Sequence, residues 1–284
     1  MLNNHRPKSC PMAKILKTCK ILFFILSIWL LFYISVFCQN NASPISIRVL
    51  TYNILHGATV NNDYNIELIA RVITSASPDI VALQEVDFKT KRAKEMDLAT
   101  RLGNLTGFAP LFGRAMYYDN GEYGEGILSR YSFIKTSVYP LPFSPGNEPR
   151  TALQVTIQLQ GGDEIMFIGT HLDHTRPETD RINQAKKINE LFKDINIPMI
   201  LVGDFNATPD SEPIKILSQY WIDACGNNPQ PTFPSANPKQ KIDYIMYRPA
   251  DRWRVVETRI IDEKVASDHC PLFAILELLP GKRN

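Results

Sequence analysis

The chain reads as an α+β protein built from two packed β-sheets with helices on their outer faces. Strands arrive in hairpin-like runs with only a few helical stretches between them, an order that favours packed sheets over a simple βαβ repeat. Several strands are short, almost wholly apolar runs, as expected where a strand is buried. No linker interrupts the chain after residue 45, so residues 45–279 read as one domain.

Ile45 to Leu55 forms the first expected strand, with Ile45, Ile47 and Val49 alternating against Ser46 and Arg48. A helix follows, with Ile66, Ile69, Ala70 and Ile73 on one face at helical spacing. Ile80 to Leu83 is a buried strand ending in Gln84-Glu85, and a charged helix is expected over Arg92 to Leu102. The middle is β-rich: Phe108 to Tyr117, Gly126 to Ser129, Ser132 to Tyr139, and an alternating run from Leu153 to Leu159. Gly161-Gly162-Asp163 turns that run into Ile165 to Gly169, which ends in Thr170-His171. Thr175 and Glu178 suggest a capping box ahead of a helix bearing Ile182, Ala185, Ile188 and Phe192. The apolar run Ile197 to Val202 leads into Gly203-Asp204-Phe205-Asn206. Alternation along a strand would then put Asp204 and Asn206 on one face and Phe205 in the core. A short helix from Glu212, a Pro- and Asn-rich loop over 223–240, and strands at 241–247, 253–260 and 272–278 complete the chain.

The first 38 residues differ from the rest. Arg6, Lys8, Lys14, Lys17 and Lys20 precede an apolar run from Ile21 to Cys38, the order of a secretory signal. Met12 would serve as an alternative start, and processing is expected near Cys38 or Ala42. Retained, the same run reaches the ~18 residues at which a membrane anchor becomes feasible. A lipid-attachment cysteine at Cys38 is disfavoured by the bulky Phe37 before it. Each reading puts the folded part outside the cytoplasm, secreted, periplasmic or anchored. Without this segment the chain holds 26 basic and 29 acidic residues, a net charge of −3. A protein gripping long nucleic acid usually carries a basic excess, so nucleic acid stays open only through a local patch. Membrane contact is left open through the N-terminal segment, and a monomer is expected. Of five cysteines only Cys225 and Cys270 belong to the fold, too few for a disulfide framework.

Gly203–Asn206 and five other stretches share one form, an apolar strand ending in residues that bind metal or move protons, and seven motifs in all stand in order along the chain. They are Tyr52-Asn53, Gln84-Glu85, Glu125 within Tyr123–Ser129, Thr170-His171, Gly203–Asn206, Asp243-Tyr244 and Ser267-Asp268-His269. In content and order they resemble the endonuclease/exonuclease/phosphatase superfamily, whose members include deoxyribonucleases, abasic-site endonucleases, sphingomyelinases and inositol-polyphosphate 5-phosphatases. The resemblance implies a four-layer αββα sandwich of two mixed sheets flanked by helices. It also implies a metal-dependent hydrolase of phosphoesters, with phosphodiesters first and a secreted nuclease or lipid-headgroup phosphodiesterase as alternatives.

Such hydrolysis needs a positioned water, a cation against the phosphate, and help for the leaving oxygen. A hard ion such as Mg²⁺, with Mn²⁺ or Ca²⁺ as substitutes, needs only one or two carboxylates. On this reading Glu85 is the main metal ligand, with Asn53 and Asp268 beside it. Asp204 activates the water, Asn206 and Arg150 hold the phosphate, and Asp243 and His269 form an acid–base pair. His171 is a second imidazole. The resemblance places Glu125 either as the carboxylate that orients His171, which we prefer, or as a second metal ligand. Asp204–Asn206 can also be read as a simple turn ahead of Pro209. His174 reads as a rim residue, Asp173 is left without a role, and Tyr117 is a weak candidate for a phosphate contact. Trp221 and Phe233 could offer an apolar surface to lipid, though both also suit packing. Asn41, Asn104 and Asn206 each begin a glycosylation sequon. A glycan on Asn206 would block the site, which favours a bacterial secretory route. A non-catalytic binding module on this fold would have lost some of these positions, and none is lost.

Overall fold

The computed structural model describes residues 44–281, together with Ser27 and Trp29 of the N-terminal segment. Of the segment expected to act in targeting only Ser27 and Trp29 are described, the sequon at Asn41 lies outside the described residues, and among those residues no helix is long and apolar enough to cross a membrane. Contacts divide the chain into residues 1–43 and 44–284, and the second unit carries both sheets.

In chain order the strands begin with β1 (Ile45–Asn53), β2 (Ile80–Phe88), β3 (Ala109–Tyr118) and β4 (Gly121–Ser129). The middle strands are β5 (Phe133–Leu141), β6 (Arg150–Gln158), β7 (Glu164–His171) and β8 (Met199–Asp204). The last are β9 (Ile222–Asp223), β10 (Asp243–Arg248), β11 (Trp253–Ile260) and β12 (Leu272–Leu278). Among the described residues four α-helices accompany them: α1 (Ile66–Ala76), α2 (Leu98–Thr106), α3 (Thr179–Phe192) and α4 (Glu212–Leu217).

Two six-stranded sheets result, in the orders β11-β12-β1-β2-β4-β3 and β5-β6-β7-β8-β10-β9. Each has one parallel pair near its centre, β1–β2 and β7–β8, bridged by α1 and α3; the other pairs are antiparallel. Three apolar layers hold the sandwich together. Val49, Ala82, Leu153, Phe167 and Val202 pack between the sheets. Leu50, Leu83 and Leu128 meet Ile69, Ile73 and Leu102 of α1 and α2. Ile168, Leu201 and Met246 meet Ile188, Phe192 and Leu217 of α3 and α4. Neighbours such as Val49 and Leu50 face opposite layers, so the second half of β1 and most of β2 are buried on both faces, whereas the start of β1 alternates, with Ser46 exposed and Arg48 half-buried. This is the four-layer αββα sandwich.

Two local expectations are corrected. The helix expected from Arg92 starts only at Leu98, capped by Asp97, whose side chain accepts from Thr100 N. Arg92 instead donates to both oxygens of Asp87 at 2.7 and 2.9 Å, which holds Lys91–Glu95 in turns. The expected capping box ahead of α3 does not form. Thr175 bonds back to Asp173 at 2.5 Å, and Glu178 reaches Arg181. The first turn of α3 is tied down instead by Asp180, which accepts from Ser144 and Asn147. Cys225 and Cys270 are buried free thiols.

Candidate active site

Chain direction decides where polar side chains collect. The parallel pairs β1–β2 and β7–β8 end at one edge of the sandwich, and in sheets of this kind ligands sit outside the carboxyl ends of parallel strands. Asn53 ends β1, His171 ends β7 and Asp204 ends β8, with His171 and Asp204 paired in register. Asp243 opens β10 directly opposite Asp204. Glu85 stands on a bulge in β2, between Leu83 and Val86, with φ 59°. The glycine before Asp204 has a steric cause. A Cβ on Gly203, at φ 149°, would lie 1.8 Å from the Thr170 carbonyl oxygen, so only glycine lets β8 run this close to β7.

The loop carrying His269 is fastened from two sides. Ser267 Oγ donates to the Asn53 carbonyl at 2.7 Å and accepts from His269 N at 3.2 Å. Ser235 and Thr232 of the Pro-rich loop bind the backbone of Asp268 and Cys270. His269 is thereby set between two acids. Its Nδ1 lies 2.9 Å from Asp243 Oδ2 and its Nε2 3.5 Å from Asp204 Oδ2. Burial opposes a charged imidazole, but Asp243 and then Asp204 override it and push His269 up to about 10. Burial, reinforced by Asp243, pushes Asp204 up to about 7, against the attraction of His269 and hydrogen bonds from Asn206 N and Asn53. Ligating atoms of Asp204, Asp243 and His269 lie within 4.8 Å of one another, close enough to hold a metal ion. Nδ1 of His269 is already committed to Asp243, however, and a protonated ring nitrogen cannot ligate, so the trio suits proton handling better.

Asp204 and Asn206 do meet, though not by strand alternation. β8 ends at Asp204, Asn206 turns left-handed at φ 48°, and its N–H closes an Asx turn on Asp204 Oδ1 at 2.9 Å. The turn and the shared site are both present. Phe205 is buried and stacks on Tyr244 with ring centroids 5.0 Å apart.

His171 corrects the role expected of Glu125. No hydrogen bond joins Glu125 to His171; Arg150 Nη1 occupies that place, 3.2 Å from Nδ1. Glu125 lies fully buried with Oε2 unpartnered, and burial pushes its carboxyl well above the usual range. Arg150 is likewise buried, ion-paired to Glu148 at 2.9 Å and 3.3 Å from His174. Burial and the Arg150 charge hold His171 well below the usual imidazole range. Asn206 Nδ2 lies 2.9 Å from His171 Nε2 while donating to the Leu172 carbonyl. A neutral imidazole accepts at one nitrogen only, so one of these two donors, Arg150 or Asn206, is surplus to the ring.

Asn53 Nδ2 bridges Glu85 Oε1 at 3.0 Å and Asp204 Oδ2 at 3.2 Å, and its Oδ1 accepts from Leu55 N. It therefore braces two carboxylates rather than serving as the metal ligand expected of it. Burial opposes ionisation of Glu85, yet His56, His171 and Asn53 hold it down to about 2. Asp268 faces the same cavity and is raised by burial, with Glu85 adding to the shift. Two oxygen-donor side chains, one of them held ionised and each in the other's field, fit a hard divalent cation that keeps part of its water shell.

Glu85, Arg150, His171, Asp204, Asn206, Asp268 and His269 all line one cavity of about 310 Å³. Asp243 stands behind His269. His174 lies exposed on the rim, while Tyr117 points to solvent and bonds Arg114. Asp173 closes the turn before α3, and Trp221 is core. Phe233 lines the cavity against His269, with ring centroids 4.9 Å apart. Sequence reasoning missed His56, Arg92, Met116, Tyr118 and Glu148, which complete the walls together with Tyr123 of the Tyr123–Ser129 stretch. Only His56 carried a signal, a polar side chain three residues beyond a strand-ending Asn.

The profile of the Endonuclease/Exonuclease/phosphatase family matches residues 50–269. YbhP of Escherichia coli (strain K12) is 26% identical over 255 residues, covering 84% of this chain and 99% of that protein. Among solved structures, the mannosyl-6-phosphatase Bt3783 of Bacteroides thetaiotaomicron VPI-5482 superposes with a TM-score of 0.66 at 19% identity, over 81% of this chain and 99% of that one. The human Nocturnin catalytic domain with bound sulfate anion gives 0.64 at 20% identity, over 82% and 95%. At these identities the two structures speak to the fold alone.

Proposed function

The chain belongs to the endonuclease/exonuclease/phosphatase family, and we propose on that basis that it is an exported, divalent-cation-dependent hydrolase of a compact phosphoester, Mg²⁺ being the first ion to test. The observation that carries this reading is the placement of Asp204 and the His269–Asp243 pair at the floor of a cavity whose wall bears Glu85. Glu85 and Asp268 would hold the cation, which supplies charge neutralisation at the phosphoryl group when bound. Asp204, poised near neutrality, takes the proton of the attacking water. His269, kept protonated by Asp243, donates from Nε2 to a phosphoryl or leaving oxygen. Arg150 and Asn206, one of them surplus to His171, donate to the remaining oxygens.

A diester is the first substrate to test. Its single charge meets less repulsion from Glu85, Glu148, Asp204 and Asp268 than a monoester dianion would. A nucleic-acid substrate is the second reading, favoured by exposed Lys89, Lys91 and Lys94 on the loop that brings Arg92 to the cavity. Export rests on residues 1–38 and is tested by fractionating cells that express the full chain.

The activity test is a panel of an aryl phosphodiester, a sugar phosphate, sphingomyelin and single-stranded DNA, each with Mg²⁺ and with chelator. Chelator-sensitive turnover of one of them, lost in Asp204→Asn, is the expected result. Turnover indifferent to chelator would overturn cation dependence.

A further inference from the structure

We infer that His56 is a positioning residue of this centre, clamping through Nδ1 the carboxylate oxygen of Glu85 that Asn53 leaves free. The inference rests on the cation reading of Glu85 given above.

Three observations converge on His56. Leu55 and His56, both with φ 45°, are consecutive left-handed residues, and Gly57 follows at φ 86°. Side chains other than glycine, asparagine and aspartate rarely adopt this conformation, and such outliers persist where the surroundings demand them. Here the demands are visible. Leu55 N is held by Asn53 Oδ1, and Gly57 N closes a turn on the Ile54 carbonyl. The effect is to bring the imidazole back over the bulge in β2. His56 Nδ1 lies 3.5 Å from Glu85 Oε2, buried and with no hydrogen-bond partner of its own. The same ring lines the cavity. Glu85 is itself left-handed, at φ 59°. Two strained segments thus meet at one pair of side chains, with Asn53 bonded to Oε1 and His56 Nδ1 facing Oε2 at ion-pair distance. A carboxylate gripped at both oxygens presents its remaining lone pairs in one fixed direction, the property a hard cation with strict geometry needs from a ligand.

The test uses the full chain and the ion alone. Calorimetric titration of Mg²⁺ and Mn²⁺ is run on wild type, His56→Ala, His56→Gly and His56→Asn, each with its thermal midpoint. Removing a partner that orients a metal ligand typically costs 10- to 100-fold in affinity, so the Ala and Gly variants should bind about 10- to 100-fold more weakly. His56→Gly relieves the left-handed backbone and should melt at or above wild type, which separates lost binding from lost folding. Asn tolerates the same backbone and places its Nδ2 where His56 carries Nδ1, so His56→Asn should recover most of the affinity. If wild type binds neither ion, the cation reading of Glu85 fails. If wild type binds and the Ala and Gly variants bind equally well, that reading stands and the role of His56 is overturned. Weak binding by His56→Asn equal to that of His56→Ala would overturn the assignment to Nδ1.

Discussion

Replacing Asp204 with Asn should stabilise the protein, and the gain should depend on pH in a specified way. Asp204 is buried and its folded value, about 7, lies above the ordinary 3.8. Between those values the unfolded chain has released the proton that the folded chain still holds, so stability falls as pH rises through the window. Above pH 7 the penalty is complete. About three units correspond to a ceiling of about 4 kcal/mol, with the attraction of His269 already included. At pH 5 less than half of it has developed, and near pH 3.5 almost none. Asparagine resembles the protonated carboxyl and carries no such penalty. It loses one acceptor for Asn53, about 1 kcal/mol, although Asn53 keeps Glu85. The net gain at pH 8 is therefore at most about 3 kcal/mol, and each kcal/mol moves the thermal midpoint of a domain this size by about 2–4 °C. Paired thermal melts of wild type and Asp204→Asn, in chelator from pH 3.5 to 8.5, should show a gap that opens with rising pH while turnover drops by ~10²-fold or more. A gap that stays flat across that range, or a variant less stable than wild type at pH 8, would refute the account of Asp204 as a base held near neutrality by burial.

Asp243→Asn removes the main support of the protonated His269, so its value falls toward the ordinary imidazole range. The rate should fall by about 10²–10⁴-fold and the basic limb of the pH–rate profile should move to lower pH; an unmoved limb would dissociate the pair. Glu85→Ala should raise the Mg²⁺ concentration for half-maximal activity by at least ~10-fold, and an unchanged titration would remove Glu85 from the ligand set. Gly203→Ala puts a methyl group 1.8 Å from the Thr170 oxygen. β7 and β8 must then part at the register that pairs His171 with Asp204, at a cost above about 3 kcal/mol, read as a lowered denaturant midpoint.

Legibility in the sequence followed the range of the forces involved. The strands at 253–260 and 272–278 agree with the structure to the residue because alternation and turn residues are local signals. The start of α2 was misplaced because Arg92, a good helix former, is drawn to Asp87, and propensity yields to a bidentate ion pair. Asp204 and Asn206 were expected together for the wrong reason: two-residue alternation ends where the strand ends, and an Asx turn takes over. The partner of His171 was not readable at all. Glu125 and Arg150 belong to different sheets, and no spacing in the chain says which of them meets that imidazole. Likewise Met116 and Tyr118 reach the cavity from the far end of β3, past the bulge between Arg114 and Met116 that breaks strand alternation, and Glu148 comes from a loop.

Backbone strain separates the part of this edge shaped by folding from the part shaped by chemistry. Of the left-handed non-glycine residues that do not line the cavity, Asn62, Ser77, Asp119 and Asn120 are of small polar types that turns and helix ends accommodate, while Lys89, Lys94 and Glu95 belong to the turns that carry Arg92 to the cavity. At the site the same conformation is imposed on Leu55, His56 and Glu85, which gain nothing from it locally. A leucine and a glutamate held left-handed each cost about 1–2 kcal/mol that a glycine would remove. Both belong to the segments that bring His56 and Glu85 together, and Asn206 makes its own left-handed turn on Asp204. The strain marks the places where the two parallel pairs, otherwise regular, bend their ends toward a common point. It follows that stabilising substitutions should be easiest to find at these positions and that each should weaken cation binding or turnover, whereas glycine at Ser77 should leave both untouched.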